Sequence, residues 1–266
     1  DHDSSRVAVL ILALFSFLTL VTDGWLLLPL FSGMGLFSTI PILNWGKQFP
    51  SLFPASVQPQ SLGLMIAGAN GILFLFILVS KHLSRELLLI LGSVPLLLSQ
   101  LKFSLPQVRE DQKPAPRILP GKFYLFIFLF YLLGGLLHNT IYQTIPPYAH
   151  ESITLLPYIA TAAIAGKLAA RGRAERLAKY ASQLMGLGFA LYIAIPDHID
   201  HWSFRLFTMI AFALADIFLW LKLLKTSNLK QFAKGLAACY LAILLGCIFT
   251  RSHYIILTKN TLKLSA

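Results

Sequence analysis

From Gly121 to Thr250 five apolar runs, 121–143, 152–166, 178–196, 203–222 and 231–250, follow one another, joined by segments that are basic or bare. Lys167, Arg171, Arg173, Arg176 and Lys179 crowd one connection, Gln143–His150 carries no Lys or Arg, and Lys222, Lys225, Lys230 and Lys234 crowd another. A helix crossing the hydrocarbon core of a bilayer takes about 20 apolar residues. Lys and Arg collect in the cytoplasmic connections of polytopic membrane proteins. The pattern therefore predicts helices that reverse direction at each connection, with Gly166–Lys179 cytoplasmic and Gln143–Glu151 and Pro196–Trp202 outside.

Composition agrees, since 56% of residues are hydrophobic and only 12% charged. The net charge of +11 sits at the ends of apolar segments and not on one continuous basic face. Orientation and contact with anionic lipid explain such a charge, and no nucleic-acid partner is expected. Cys239 and Cys247 lie eight residues apart in one segment, a rise of about 12 Å along a helix that no disulfide spans; both read as packing residues. Without a Gly-rich phosphate loop, a G-x-S-x-G elbow or an H-E-x-x-H pair, neither enzymatic activity nor a cofactor is expected. The chain begins at Asp1, which suggests processing or a longer parent.

Eight segments qualify as spans or nearly so: 7–31, 62–80, 87–101, 121–143, 152–170, 178–196, 203–224 and 231–250. The first ends in Asp23–Gly24–Trp25 and not in a small-residue cleavage site, so it reads as a transmembrane helix and not a signal peptide. Ser32–Gln60, with Pro41, Pro50, Pro54 and Pro59, reads as a membrane-interface loop, and Lys102–Gly121 as a polar, proline-rich cytoplasmic linker. The expected organisation is a three-helix part (1–101), the linker (102–121), a five-helix part (122–250) and a tail (251–266). This arrangement collects 15 of the 22 Lys and Arg on the cytoplasmic side, with Arg6, Lys81, Arg85, Arg205, Arg251, Lys259 and Lys263 outside; one further helix before residue 60 would move the N-terminus to the cytoplasm.

A charged group inside the hydrocarbon layer costs roughly 2.5–3.5 kcal/mol to insert and is a candidate for function. Asp216, near the middle of 203–224 beside Phe212, Phe218 and Trp220, must be protonated, paired or set against a wet cavity. It reads either as a proton or cation relay or as a carboxyl bonded to a neighbouring helix. Asp23 is nearer a helix end. His138, Asn139 and Tyr142 line the outer half of 121–143, with His138 and Tyr142 on one face; Asn70 lies central in 62–80 and reads as interhelical glue before ligand. His198 and His201, with Asp197 and Asp200, are weak metal candidates because no second ligand cluster completes a site. Gly186 and Ala190 share a face that reads as a close-packing surface against another helix.

From about Leu97 onward the chain resembles the second half of a Major Facilitator Superfamily protein. The helix Phe123–Tyr142 with Gly134–Gly135 is followed by Leu155–Pro157–Tyr158–Ile159–Ala160 and then by Gly166–Lys167–Leu168–Ala169–Ala170–Arg171–Gly172–Arg173. The last string is similar to the superfamily's G-x-L-A-D-R-x-G-R loop. Gly186–Leu187–Gly188–Phe189–Ala190 and Phe212–Trp220 are similar to membrane domains of this fold in some bacterial LuxR-type regulators. Two departures stand out. Ala170 replaces the family's usual Asp, which takes part in a latch between the halves, and a complete member has twelve helices.

The apolar segments predict an all-α polytopic transmembrane helix bundle of about eight helices, and the resemblance implies that it is facilitator-like from residue 97 onward and sits in a bacterial inner membrane. The resemblance also implies small-solute transport with Gly166, Arg171 and Arg173 in a conformational loop, and the polar groups within the apolar helices, Asp216, His138, Tyr142, Asn70 and Asp23, are then the candidates to meet the substrate or ion. The alternative is a non-transporting sensor module or a structural subunit of a larger membrane complex. The expected partners are the lipid bilayer and either further copies of the chain or other membrane subunits.

Overall fold

The computed structural model describes residues 2–22, 24–80, 82–84, 86–88, 90–92, 118–140, 155–194, 202–226 and 228–264. Among them run eight α-helices: α1 (His2–Val21), α2 (Leu27–Leu52), α3 (Gln58–Ser80), α4 (Gly121–Thr140), α5 (Leu155–Leu168), α6 (Ala174–Ala194), α7 (Trp202–Leu224) and α8 (Leu229–Leu264). No strand occurs among the described residues, so the fold is an all-α bundle. Gly24–Leu52, Gln58–Ser80, Ser203–Leu224 and Leu229–Thr250 are each long and apolar enough to cross a bilayer, and they mark the chain as a membrane protein.

Eight helices are reached by a different route from the one expected. The single span 7–31 is broken: α1 stops at Val21, Gly24 takes φ 69°, and a short 3-10 turn leads into α2. The presumed interface loop Ser32–Gln60 is mostly helix, with Pro41 and Pro50 inside α2. Proline breaks a helix in water, but in an apolar surround neighbouring helices and side chains re-satisfy the backbone groups it frees. At the end of α2, where the last carbonyls lack intrahelical donors, the Gln58 amide donates to the carbonyls of Pro50 at 3.1 Å and Phe53 at 2.9 Å. At the other end of the chain, the expected tail continues α8 as helix to Leu264. Most of the segment 87–101 and nearly all of the linker fall outside the described residues.

α7 is the central helix. Ala211, Ala213, Leu214, Ala215, Ile217 and Phe218 are buried, while Phe212, Asp216 and Trp220 on the remaining side are part-exposed. α5 and α6 pack directly on it, α3 packs on α5, and α4 pairs with α8. Two of these contacts are glycine seams. A Cβ on Gly63 of α3 would lie 2.7 Å from the Ala162 carbonyl oxygen and 2.8 Å from the Gly166 Cα of α5. On the other side of the bundle, a Cβ on Gly135 of α4 would run into the Ile243 carbonyl of α8, and one on Gly246 would come within 2.7 Å of the Leu136 nitrogen. With no hydrophobic force between helices in lipid, such backbone approach is what holds them together.

Between α4 and α7 the spacing is filled by rings instead. Phe126 meets Phe218 edge-on at 5.7 Å and Phe130 meets Phe212 edge-on at 5.5 Å, a geometry aromatic quadrupoles favour.

The end of α2, the start of α3, the turn between α5 and α6 and the turn between α7 and α8 gather at one end of the bundle. Trp45 packs on Trp220 at 5.4 Å, Trp220 on Phe232 at 5.9 Å, and Lys222 pairs with Glu175. Asn228 caps α8 by accepting from the Lys230 backbone N–H at 2.9 Å. The Leu119 N–H donates to Gln231 Oε1 at 3.1 Å, which brings the start of α4 to the same place. Lys47, Lys122, Lys167, Arg171, Arg173, Arg176, Lys179, Lys225, Lys230 and Lys234 are all exposed in these segments, so this is the basic end.

Because α2 is a helix, α1 begins at the basic end as well: the Asn44 amide donates to Ser5 Oγ. That moves Arg6 from the bare side, where the eight-span count places it, to the basic one. Single cysteines at Ser4 and at Arg173 are therefore expected to react from the same side of the membrane with an impermeant maleimide, and one at Thr144 from the opposite side. Labelling of positions 4 and 173 from opposite sides would contradict the hairpin of α1 and α2.

Candidate functional site

A carboxyl in the middle of an apolar helix is costly to keep in the hydrocarbon layer, so its partners decide whether it can stay. Asp216 of α7 accepts two hydrogen bonds, from the Tyr131 hydroxyl of α4 at Oδ1 and from the Tyr158 hydroxyl of α5 at Oδ2. Both of its oxygens are engaged, and an ionised carboxylate, which only accepts, suits two phenol donors. No ion pair among the described residues involves it. Bonds to a carboxylate are about twice as strong as neutral ones, and two of them offset much of the ~2.5–3.5 kcal/mol insertion cost.

The cluster joins three helices near half depth. Tyr131 is ten residues from the start of α4 and Tyr158 ten from the end of α5, each about 15 Å from the basic end. Asp216, eight residues before Leu224, lies about 12 Å from that end. Tyr131 is 5% exposed, sealed by Phe130 and Phe212, whereas Asp216 and Tyr158 are part-exposed. Opening this site means parting α7 from α4, from α5, or from both.

Of the residues singled out from the sequence, Asp216 is thus at the centre of the polar cluster. Asn70 stands apart from it and donates to the Ile66 carbonyl of its own helix at 2.9 Å, which is local backbone bonding in place of a ligand contact. Asp23, Tyr142, His198 and His201 lie outside the described residues, as does the side chain of His138. Tyr131 and Tyr158 were not on that roster, although signals existed. Tyr131 is seven residues before His138 and so on the same face of α4, and it stands in a run of phenylalanines where its hydroxyl needs a partner.

The conformational-loop residues divide. Gly166 belongs to the seam with Gly63 and not to a loop; only the next residues form the turn, Ala169–Arg173. Within it Gly172 adopts φ 75° between the exposed Arg171 and Arg173, a left-handed conformation that favours glycine. The expectation for Gly186 and Ala190 is overturned. Both are exposed, and nothing lies within 4 Å of where a Gly186 Cβ would be. The small residue of α6 that does pack on α7 is Gly188, whose Cβ would sit 3.2 Å from the Thr208 methyl. At 100° per residue, placing Gly188 inward turns Gly186 and Ala190 out.

Comparisons of the chain with protein-family models, with curated proteins and with solved structures give no match.

Proposed function

We propose that the chain is a proton-linked transporter of a small solute, a reduced facilitator-type protein of a bacterial cytoplasmic membrane, with Asp216 as its protonatable group and the basic end in the cytoplasm. One observation carries this reading: a single carboxylate at half depth holds two helices through its two oxygens. Proton arrival replaces two charge-assisted bonds with neutral ones of about half the strength, and so loosens α4 and α5 from α7 in one step. A transporter needs such a coupling between proton occupancy and helix separation, with substrate admitted near the midplane when the helices part. The order of elements from Leu97 onward supports the same reading.

The test uses proteoliposomes with a pH-sensitive dye inside, to which sugars, amino acids and organic acids are added in turn. At least one solute class is expected to drive proton movement with the wild-type chain, and Asp216→Asn to abolish it while the protein stays folded. Proton movement that survives in the Asn variant would remove Asp216 from the mechanism.

A second reading, a non-transporting sensor module or a structural subunit, is favoured by the closure of the site: both oxygens are occupied, and flanking helices are seamed backbone to backbone. It predicts no solute-driven proton movement at all, with the Tyr–Asp–Tyr cluster mattering only to stability.

A further inference from the structure

We propose that the exposed face of α6 at the basic end is a binding surface for an anionic phospholipid, its headgroup on Arg173, Arg176 and Lys179 and an acyl chain along Gly186 and Ala190. Arg176, Lys179, Gln183, Gly186 and Ala190 follow at intervals of three or four residues, which puts them on one face of the helix. All five are exposed, and so is Arg173 in the turn before α6. This one face is cationic over its first two turns and apolar beyond, where the exposed Leu187 stands beside Gly186 and Ala190. The change of character lies between Lys179 and Gly186, a rise of about 10 Å, as between a phosphate and the upper acyl chain of a lipid standing beside the helix.

Among the described residues no acid pairs with the charges on this face. Glu175, the acid nearest to them among the described residues, pairs with Lys222 of α7, and Lys222 also lies 5.5 Å from the centre of the Phe218 ring. That pairing draws the carboxylate toward the bundle and leaves Arg173, Arg176 and Lys179 without an ion pair among the described residues. Lys167 and Arg171, also exposed, add to the same field from the turn. Tyr180, 45% exposed beside Lys179, suits the headgroup level, where tyrosine is enriched. Each cation near an anionic membrane surface adds attraction, while the open space at Gly186, where nothing lies within 4 Å of a Cβ, leaves an acyl chain room to lie beside Leu187. This inference needs only that the chain sits in a membrane, not that it transports.

Spin-labelled phosphatidylglycerol and phosphatidylcholine, each introduced into phosphatidylcholine vesicles that hold the full chain, read the preference as the fraction of motionally restricted lipid. The wild type is expected to favour phosphatidylglycerol severalfold, roughly five- to tenfold at low salt. The R173Q/R176Q/K179Q variant should bring the ratio close to one with unchanged helix content, and Gly186→Leu should lower the restricted fraction of both lipids while the preference persists. Equal restriction of the two lipids by the wild type would overturn the proposal. So would loss of the preference in millimolar inorganic phosphate at constant ionic strength, which would make the site one for a free anion. A dimer abolished by Gly186→Leu would overturn it too, by giving the face to a second copy.

Discussion

Asp216→Leu is expected to destabilise the folded chain by about 2–4 kcal/mol, because it leaves the Tyr131 and Tyr158 hydroxyls without their acceptor and an orphaned buried hydroxyl costs about 1–3 kcal/mol. The lower half of the sum is the better guide, since interhelical bonds in membranes average about 0.6 kcal/mol and reach about 1.7, and Tyr158 is only part-buried. Asp216→Asn keeps one acceptor oxygen and should lose about half as much. Thermal unfolding in mild detergent reads both. Tyr131→Phe with Asp216→Asn forms a double-mutant cycle in which a coupling of about 0.5–2 kcal/mol is expected for residues in contact. Strict additivity would mean that the two groups do not bond. Stability and proton-linked uptake are separate readouts, so the Asn variant distinguishes a carboxylate that couples from one that only clamps.

The second large effect belongs to Gly166. A Cβ there would lie 2.7 Å from the Pro59 carbonyl oxygen and 2.9 Å from the Gly63 Cα, and neither is the movable end of a side chain. Gly166→Leu must force α3 and α5 apart, at a cost at or beyond the upper end of the usual 1–3 kcal/mol for overpacking, about 3 kcal/mol or more. Gly186→Ala is the control: its Cβ meets open space, and no loss is expected but a gain of up to about 1 kcal/mol from the helix preference of Ala over Gly. If Gly166 served a moving loop instead of a seam, its substitution would leave the unfolding temperature near that of the control.

The helical class, the membrane setting and the clustering of cations at one end of the bundle were legible because each rests on composition along the chain. An apolar run must bury itself, and a Lys or Arg must reach water or a headgroup, whatever the neighbouring helices do. The depth of Asp216 was legible for the same reason. α2 was not, because its prolines break a helix in water but not in an apolar surround, and the side of the N-terminus hung on that one helix. The split of 7–31 at Gly24 escaped too, since a φ of 69° leaves no mark in a hydropathy pattern.

What the sequence determined by itself is therefore that the chain forms apolar helices with a basic end and carries one carboxyl that has to find partners. Which partners it finds was decided by tertiary structure. Tyr131 and Tyr158 lie 85 and 58 residues from Asp216 along the chain, and Gly63 meets a glycine on a helix from the other half. The rotation of α6 that buries Gly188 and exposes Gly186 was decided there as well. An apolar helix is nearly the same on every side to lipid, so its sequence states its depth in the membrane but not its rotation. Rotation follows from where backbones approach most closely and where hydroxyls meet the carboxylate.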